Sequence, residues 1–142
     1  MNKLLTDNEI QEVKYTSLTH RGKETYNFYI VAEKLSKYGF DCMRIMNDYK
    51  GADFFAIHAE KQKSFPVQLK ARLTIDEKYR NKEIIMAFPL KGTWYFIPHD
   101  VLYEIIRDNA NYLETSSWTE KHLYHTDSPN VEVIQALEPY IL

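Results

Sequence analysis

The sequence predicts an α/β-class fold of the α+β type, in which an N-terminal helix, a run of strands and C-terminal helices share one core. Three observations predict it. Apolar residues recur at helical spacing through Phe28, Val31 and Leu35. Short β-branched or aromatic runs then follow one another between turn signals. Helix-starting residues return from Pro98 onward. With 142 residues, 44% hydrophobic and 14% aromatic, the chain can bury one proper core, and residues 1–142 read as a single domain.

Each element has its own signal. Thr6 with Glu9 resembles a capping box and predicts a short first helix near residues 7 to 14. The main N-terminal helix is expected over about residues 22 to 38, with Phe28, Val31, Leu35 and Tyr38 as its apolar stripe and Gly39 as its C-terminal stop. The runs DCMRIM, GADFFAIHA, SFPVQLKARL, EIIMAF and TWYFI should form one sheet. Thr74 with Glu77 reads as a capping box for a short helix. Pro98 and Asp100 open the helix VLYEIIRDNA, and Ser128 followed by Pro129 should cap and begin a last helix, NVEVIQALE.

Composition removes several function classes. Cys42 is the single cysteine, so an internal disulfide and a thiolate-only metal site are excluded. The four glycines stand at 22, 39, 51 and 92, and no GxGxxG, GxxxxGK or GxSxG pattern can be built from them. No nucleotide cofactor is therefore expected. No apolar run approaches the roughly 20 residues that cross a bilayer, and MNKLLTDNEIQEVK lacks a secretory apolar core, so a cytoplasmic protein without membrane contact is expected. Lys and Arg number 18 against 20 Asp and Glu, but unevenly: the first 97 residues carry about +4 and the remainder about −6. A polyanion should meet the N-terminal two-thirds.

The stretch from Gly51 to Arg72 carries the chemistry. Folding it as a hairpin between Glu60 and Lys61 sets Asp53 opposite Gln68 on one face. Period-two alternation brings Lys70 to that face and turns Val67, Leu69 and Ala71 into the core. A carboxylate, a carboxamide and an ammonium converge among apolar neighbours, where they need each other or a metal ion. On the main helix, Glu24 lies within about 40° of Phe28 and Val31 and extends the sheet-facing stripe, with Asn27 as a weaker alternative; Glu33 points the other way. Without a wider pattern, an Asp53–Lys70 ion pair capping a strand end would be the better explanation of these residues.

Asp53, followed fifteen residues later by Gln68-Leu69-Lys70, resembles the signature of the PD-(D/E)XK nuclease superfamily. The helix ending in LSKYGF and the strands GADFFAI and VQLKAR resemble its helix-strand-strand core, a restriction-endonuclease-like fold with a central mixed sheet that is also seen in Holliday-junction resolvases. The match covers about residues 20 to 72; LTIDEKY, TWYFIPHD and NYLETSSW look like a group of small bacterial proteins with this fold. Ala52 stands at the motif's proline, and Gln68 where most members have an acid.

The resemblance implies a Mg²⁺-dependent endodeoxyribonuclease, with Mn²⁺ as a substitute metal. Asp53 would be the main ligand, completed by Gln68 Oε1, the Leu69 carbonyl and Glu24, and Lys70 would polarise the attacking water. The uncharged Gln68 should lower metal affinity. The alternative is a catalytically degenerate nuclease-fold module that binds DNA or assembles with other proteins. An interaction or structural protein without a nucleic-acid role is a third class. DNA is the expected partner, contacted by Lys61, Lys63, Arg72, Lys78, Arg80 and Lys82 in a segment of about +4 that could also be an ordinary solvated face. A homodimer is expected because duplex cleavage needs two sites. A zinc reading of His99, His122 and His125 is disfavoured, since no Cys or acid has ligand spacing with them. Trp94 should be core, and Trp118, in the polar segment ETSSWTE, should contact DNA or a second subunit.

Overall fold

The computed structural model describes residues 10–49 and 51–142. The proposed Thr6–Glu9 capping box lies outside those residues. Residues 10 to 14 are not helical, and the short N-terminal turn is a 3-10 turn at Tyr15–Ser17. Helix α1 spans His20–Ser36, opened by Thr19, whose hydroxyl accepts from the Gly22 N–H. It ends in a two-bond cap: Gly39, at φ 86°, donates to Ser36 O, and Phe40 donates to Leu35 O. Phe28, Val31 and Leu35 are buried as expected, whereas Tyr38 lies beyond the helix end and is exposed.

The five expected runs form one sheet, β1 (Asp41–Tyr49), β2 (Ala52–His58), β3 (Lys63–Leu69), β5 (Ile85–Leu90) and β6 (Thr93–Pro98), in the order β1-β2-β3-β5-β6. The sheet is mixed, because β3 and β5 are parallel and the other neighbours antiparallel. The parallel step needs a crossover. It is supplied by β4 (Leu73–Asp76), a 3-10 turn at Glu77–Tyr79 and the segment that follows, with β4 pairing not with the main sheet but with β7 (Leu123–Thr126).

Helices α2 (His99–Asn109), α3 (Ser116–Lys121) and α4 (Val131–Leu137) complete the chain. Strand β5 sits between two apolar layers. Ile85 and Ala87 join Phe28, Val31, Leu35, Phe54, Val67 and Trp94 under α1. Met86 and Phe88 join Tyr95, Ile97, Leu102, Ile106, Val133 and Leu137 under α2 and α4. A strand covered on both faces reads as a continuous apolar run, as EIIMAF does.

Four expectations are corrected. Trp118 is not a surface contact: it is 9% exposed, with its ring 5.6 Å from that of Tyr103. Thr74 does not cap a helix but is buried in β4, and Asp76 caps the following turn by accepting from the Lys78 N–H. The last helix is capped by Asn130, which accepts from the Val133 N–H, rather than by Ser128. Ala71 is exposed, because β3 ends at Leu69.

Candidate functional site

The β2–β3 hairpin has the register expected from its sequence. Phe54 pairs with Val67 and His58 with Lys63, which continues to Asp53 opposite Gln68. The ladder gives out at that point, and Asp53 Oδ2 accepts the Leu69 N–H at 2.8 Å, so a side chain replaces a main-chain acceptor. On the other side of β3, the Lys70 N–H donates to Ala87 O at 2.9 Å and holds the strand end against β5. Phe54 and Val67 are buried under α1. Alternation therefore turns Asp53 and Gln68 toward the opposite face.

Two adjoining cavities, of about 510 and 700 Å³, share Asp53, Gln68 and Lys70 as lining residues. The first runs past the strand ends to α1 and is closed by His20, Lys23, Glu24, Asn27 and Arg44. A register shift in β1 between Arg44 and Tyr49 puts Ile45 and Met46 on its wall as well. The second is bounded by Gly51, Lys78, Tyr79, Asn81 and Lys82. The half-buried Lys70 has its ammonium 5.8 Å from the centroid of the buried Tyr79 ring, and Lys78 lies at 5.1 Å.

The structure thus brings Asp53, Gln68, Leu69, Lys70 and Glu24 to one cavity. Glu24 sits on its solvent rim, 56% exposed, with His20 Nδ1 at 3.5 Å from its carboxylate. This position follows from α1 packing on the face opposite Asp53, so that only the start of the helix reaches the cavity. Asn27 lines the cavity too, but donates its amide to the Tyr15 hydroxyl at 3.0 Å.

The six cations expected to meet DNA separate. Lys78 and Lys82 line the second cavity. Lys61 and Lys63 lie at the turn end of the hairpin, five residues or about 17 Å of strand from the Asp53 level. Arg72 is exposed and lines neither cavity. Arg80 lies with Cζ 3.9 Å from the Tyr103 ring centroid and Nη1 3.5 Å from Glu77, a packed arrangement on α2. Sequence reasoning missed His20 and Lys23, one turn apart at the start of α1, and Arg44 on β1, which joins them only because α1 lies beside β1.

The donor set can be tested against a divalent cation. Asp53, Glu24, Gln68 Oε1 and the Leu69 carbonyl are all oxygen donors, which suits a hard ion that keeps several waters. Among the described residues no three His, Cys, Asp or Glu side chains gather closely enough to hold a metal by themselves. Gln68 Nε2 lies 3.5 Å from Leu69 O, which leaves Oε1 as the other end of the carboxamide. Cys42 lines neither cavity, and burial, reinforced by Asp41, pushes its thiol up to about 11.

His99, on the first turn of α2, organises the wall of the second cavity. It is 1% exposed, and its Nε2 accepts the Asp76 N–H at 3.0 Å, so the proton resides on Nδ1, 3.3 Å from Asp100 Oδ1. Asp100 Oδ2 accepts the Asn81 N–H, where φ is 60°. Burial depresses the His99 pKa below 6.5, against the opposing effect of Asp100. The unfolded chain therefore binds a proton that the folded chain refuses. Stability should be complete above about pH 6.5 and fall as the pH drops below it, by at most about 1.4 kcal/mol per unit from this group. Urea midpoints should show that slope in the wild type and lose part of it in His99→Gln, which keeps an acceptor without a titrating ring.

Among the described residues no helix is long and apolar enough to cross a membrane. No protein-family model matches the chain, and no curated protein matches it. Among solved structures, the Holliday junction resolvase Hjc of the archaeal hyperthermophile Archaeoglobus fulgidus superposes with a TM-score of 0.45, at 19% identity, over 56% of this chain and 75% of that chain.

Proposed function

We propose that this protein is a metal-dependent endonuclease that hydrolyses DNA phosphodiester bonds. The observation that carries the proposal is the convergence of Asp53, Gln68 and Lys70, remote or alternate in sequence, on cavities to which Lys23, Arg44, Lys78 and Lys82 add positive charge. Asp53, Gln68 Oε1, the Leu69 carbonyl and Glu24 are the donors that would hold Mg²⁺ or Mn²⁺. Such an ion, when bound, neutralises phosphate charge and lowers the pKa of water. Asp53 is oriented for this by the Leu69 N–H. Lys70, anchored through its main chain to β5, offers its ammonium to the phosphate and to the attacking water. One site per chain and two strands per duplex make a homodimer the working form for duplex cleavage.

Incubating plasmid DNA with the protein and Mg²⁺, Mn²⁺ or EDTA tests this reading directly. Nicking or linearisation with either metal and none with EDTA is the expected result. A second reading, a DNA-binding module that has lost catalysis, is favoured by Gln68 and by the absence of a three-acid cluster among the described residues. DNA retention without metal-dependent cleavage on duplex, branched or single-stranded substrates would establish it.

The two lysine pairs make a separate prediction. Lys78→Ala with Lys82→Ala should weaken binding on all sequences and reduce the salt slope by about two phosphate contacts. Lys61→Ala with Lys63→Ala should leave the slope nearly unchanged, since that pair lies at the far end of the hairpin. Equal slopes for both double variants would remove the second cavity from the DNA path.

A further inference from the structure

We propose that Tyr15 forms a stacking subsite for an unpaired nucleobase beside the cleaved phosphate, so that the substrate carries a single-stranded or strand-separated segment. This rests on the nuclease reading of the Asp53 site and adds the class of DNA that it takes.

The two walls that flank Asp53 differ in what they offer. In the second cavity the aromatic ring, Tyr79, is 3% exposed and has the ammonium groups of Lys70 and Lys78 near its face. That wall presents cations and contacts phosphate. In the first cavity Tyr15 is 39% exposed and shares the lining with Asp53, Gln68 and Lys70. Its orientation is held by two neighbours, Asn27 donating to its hydroxyl at 3.0 Å and Tyr26 packing edge-on at 5.2 Å. Lys23 Nζ lies over the ring 5.7 Å from its centroid, as Lys70 and Lys78 do at Tyr79, so the two rings differ in exposure rather than in nearby cations. A ring that is both fixed and accessible loses little conformational entropy when a flat partner lands on it.

Lys23 and Arg44 add positive charge to the same wall, and Arg44 is itself steadied by Thr25 Oγ1 at 3.1 Å and by the Phe28 ring at 5.2 Å. Cations that track a backbone beside an aromatic platform are what a single strand requires. A continuous duplex turns its bases inward and would leave Tyr15 without a partner. The cavity volume of about 510 Å³ falls within the range of sites that enclose small organic ligands.

The test is binding, measured in EDTA by fluorescence anisotropy with three labelled oligonucleotides: a blunt duplex, the same duplex with an unpaired segment, and that segment with its bases replaced by abasic positions. The wild type should prefer the unpaired segment and lose about 5- to 100-fold in affinity when its bases are removed. Tyr15→Ala should lose the same factor on the intact segment and be indifferent to base removal, while Tyr15→Phe keeps the preference. The abasic comparison needs no variant, so a folding defect cannot obscure it. Equal wild-type affinity for intact and abasic segments, or equal loss by Tyr15→Ala on blunt duplex, overturns the subsite and leaves metal-dependent cleavage standing. Failure to bind any of the three at low salt overturns both readings, and metal-independent cleavage overturns the nuclease mechanism alone.

Discussion

Asp53→Asn is expected to reduce metal-dependent cleavage by about 10³-fold or more, a loss of roughly 4 kcal/mol in transition-state stabilisation. The reason is electrostatic, since the change removes the only charged donor among the Asp53, Gln68 and Leu69 oxygens at the hairpin end. The variant keeps an oxygen to accept the Leu69 N–H, so β2 and β3 should retain their spacing and the loss should not reflect unfolding. Gln68→Glu provides the opposite test. Adding a carboxylate should retain cleavage and lower the metal concentration needed, because attraction for the cation rises. Lys70→Ala should depress turnover while leaving substantial DNA binding. Cleavage assays over a metal titration decide between these outcomes, and wild-type turnover in Asp53→Asn would remove the hairpin end from the chemistry.

Phe54→Ala should destabilise the fold by about 3 to 5 kcal/mol, read as a shift in the urea midpoint. Phe54 is 0% exposed, and its ring meets that of Phe28 edge-on at 5.1 Å and 81°. That contact clamps β2 to α1 one residue from Asp53, and Phe28 in turn supports Arg44 on the cavity wall. Removing the ring leaves a void between two layers that cannot easily close. Phe54→Leu should cost about 1.5 kcal/mol or less, because it refills most of the volume. A loss below about 1 kcal/mol in Phe54→Ala would show that α1 can settle onto the sheet without the ring.

Local pattern was informative wherever an element buries its own apolar residues. Phe28, Val31 and Leu35 mark the inner face of α1, β2 alternates between buried and more exposed residues, and β5 runs apolar where both its faces are covered. The pattern misled where burial is set by distant partners. Trp118 sits among Glu, Thr and Ser in sequence, yet is covered by an α2 residue, Tyr103. Tyr38 fits the helical period, but the cap at Gly39 ends α1 before it. Thr74 has capping-box spacing to Glu77, but β4 pairs with β7 from far along the chain and claims Thr74 as a strand residue. Both partners in that ladder are short, and neither shows the signal of a sheet alone.

The hairpin register was determined by the sequence by itself, since the period of two and a short turn leave one way to bury Phe54 and Val67, and that way sets Asp53 against Gln68. Which side chains share the cavity with them was decided only by tertiary structure. Glu24 stands at the rim because α1 packs on the face opposite Asp53, and Tyr15, Lys23 and Arg44 meet there because helix and strand lie side by side. Arg80 packs on Tyr103 while Lys78 and Lys82 line the cavity, although the three alternate along one segment. The physical reason is one of range: alternation governs neighbours within a strand pair, whereas convergence at a cavity depends on how separate layers pack.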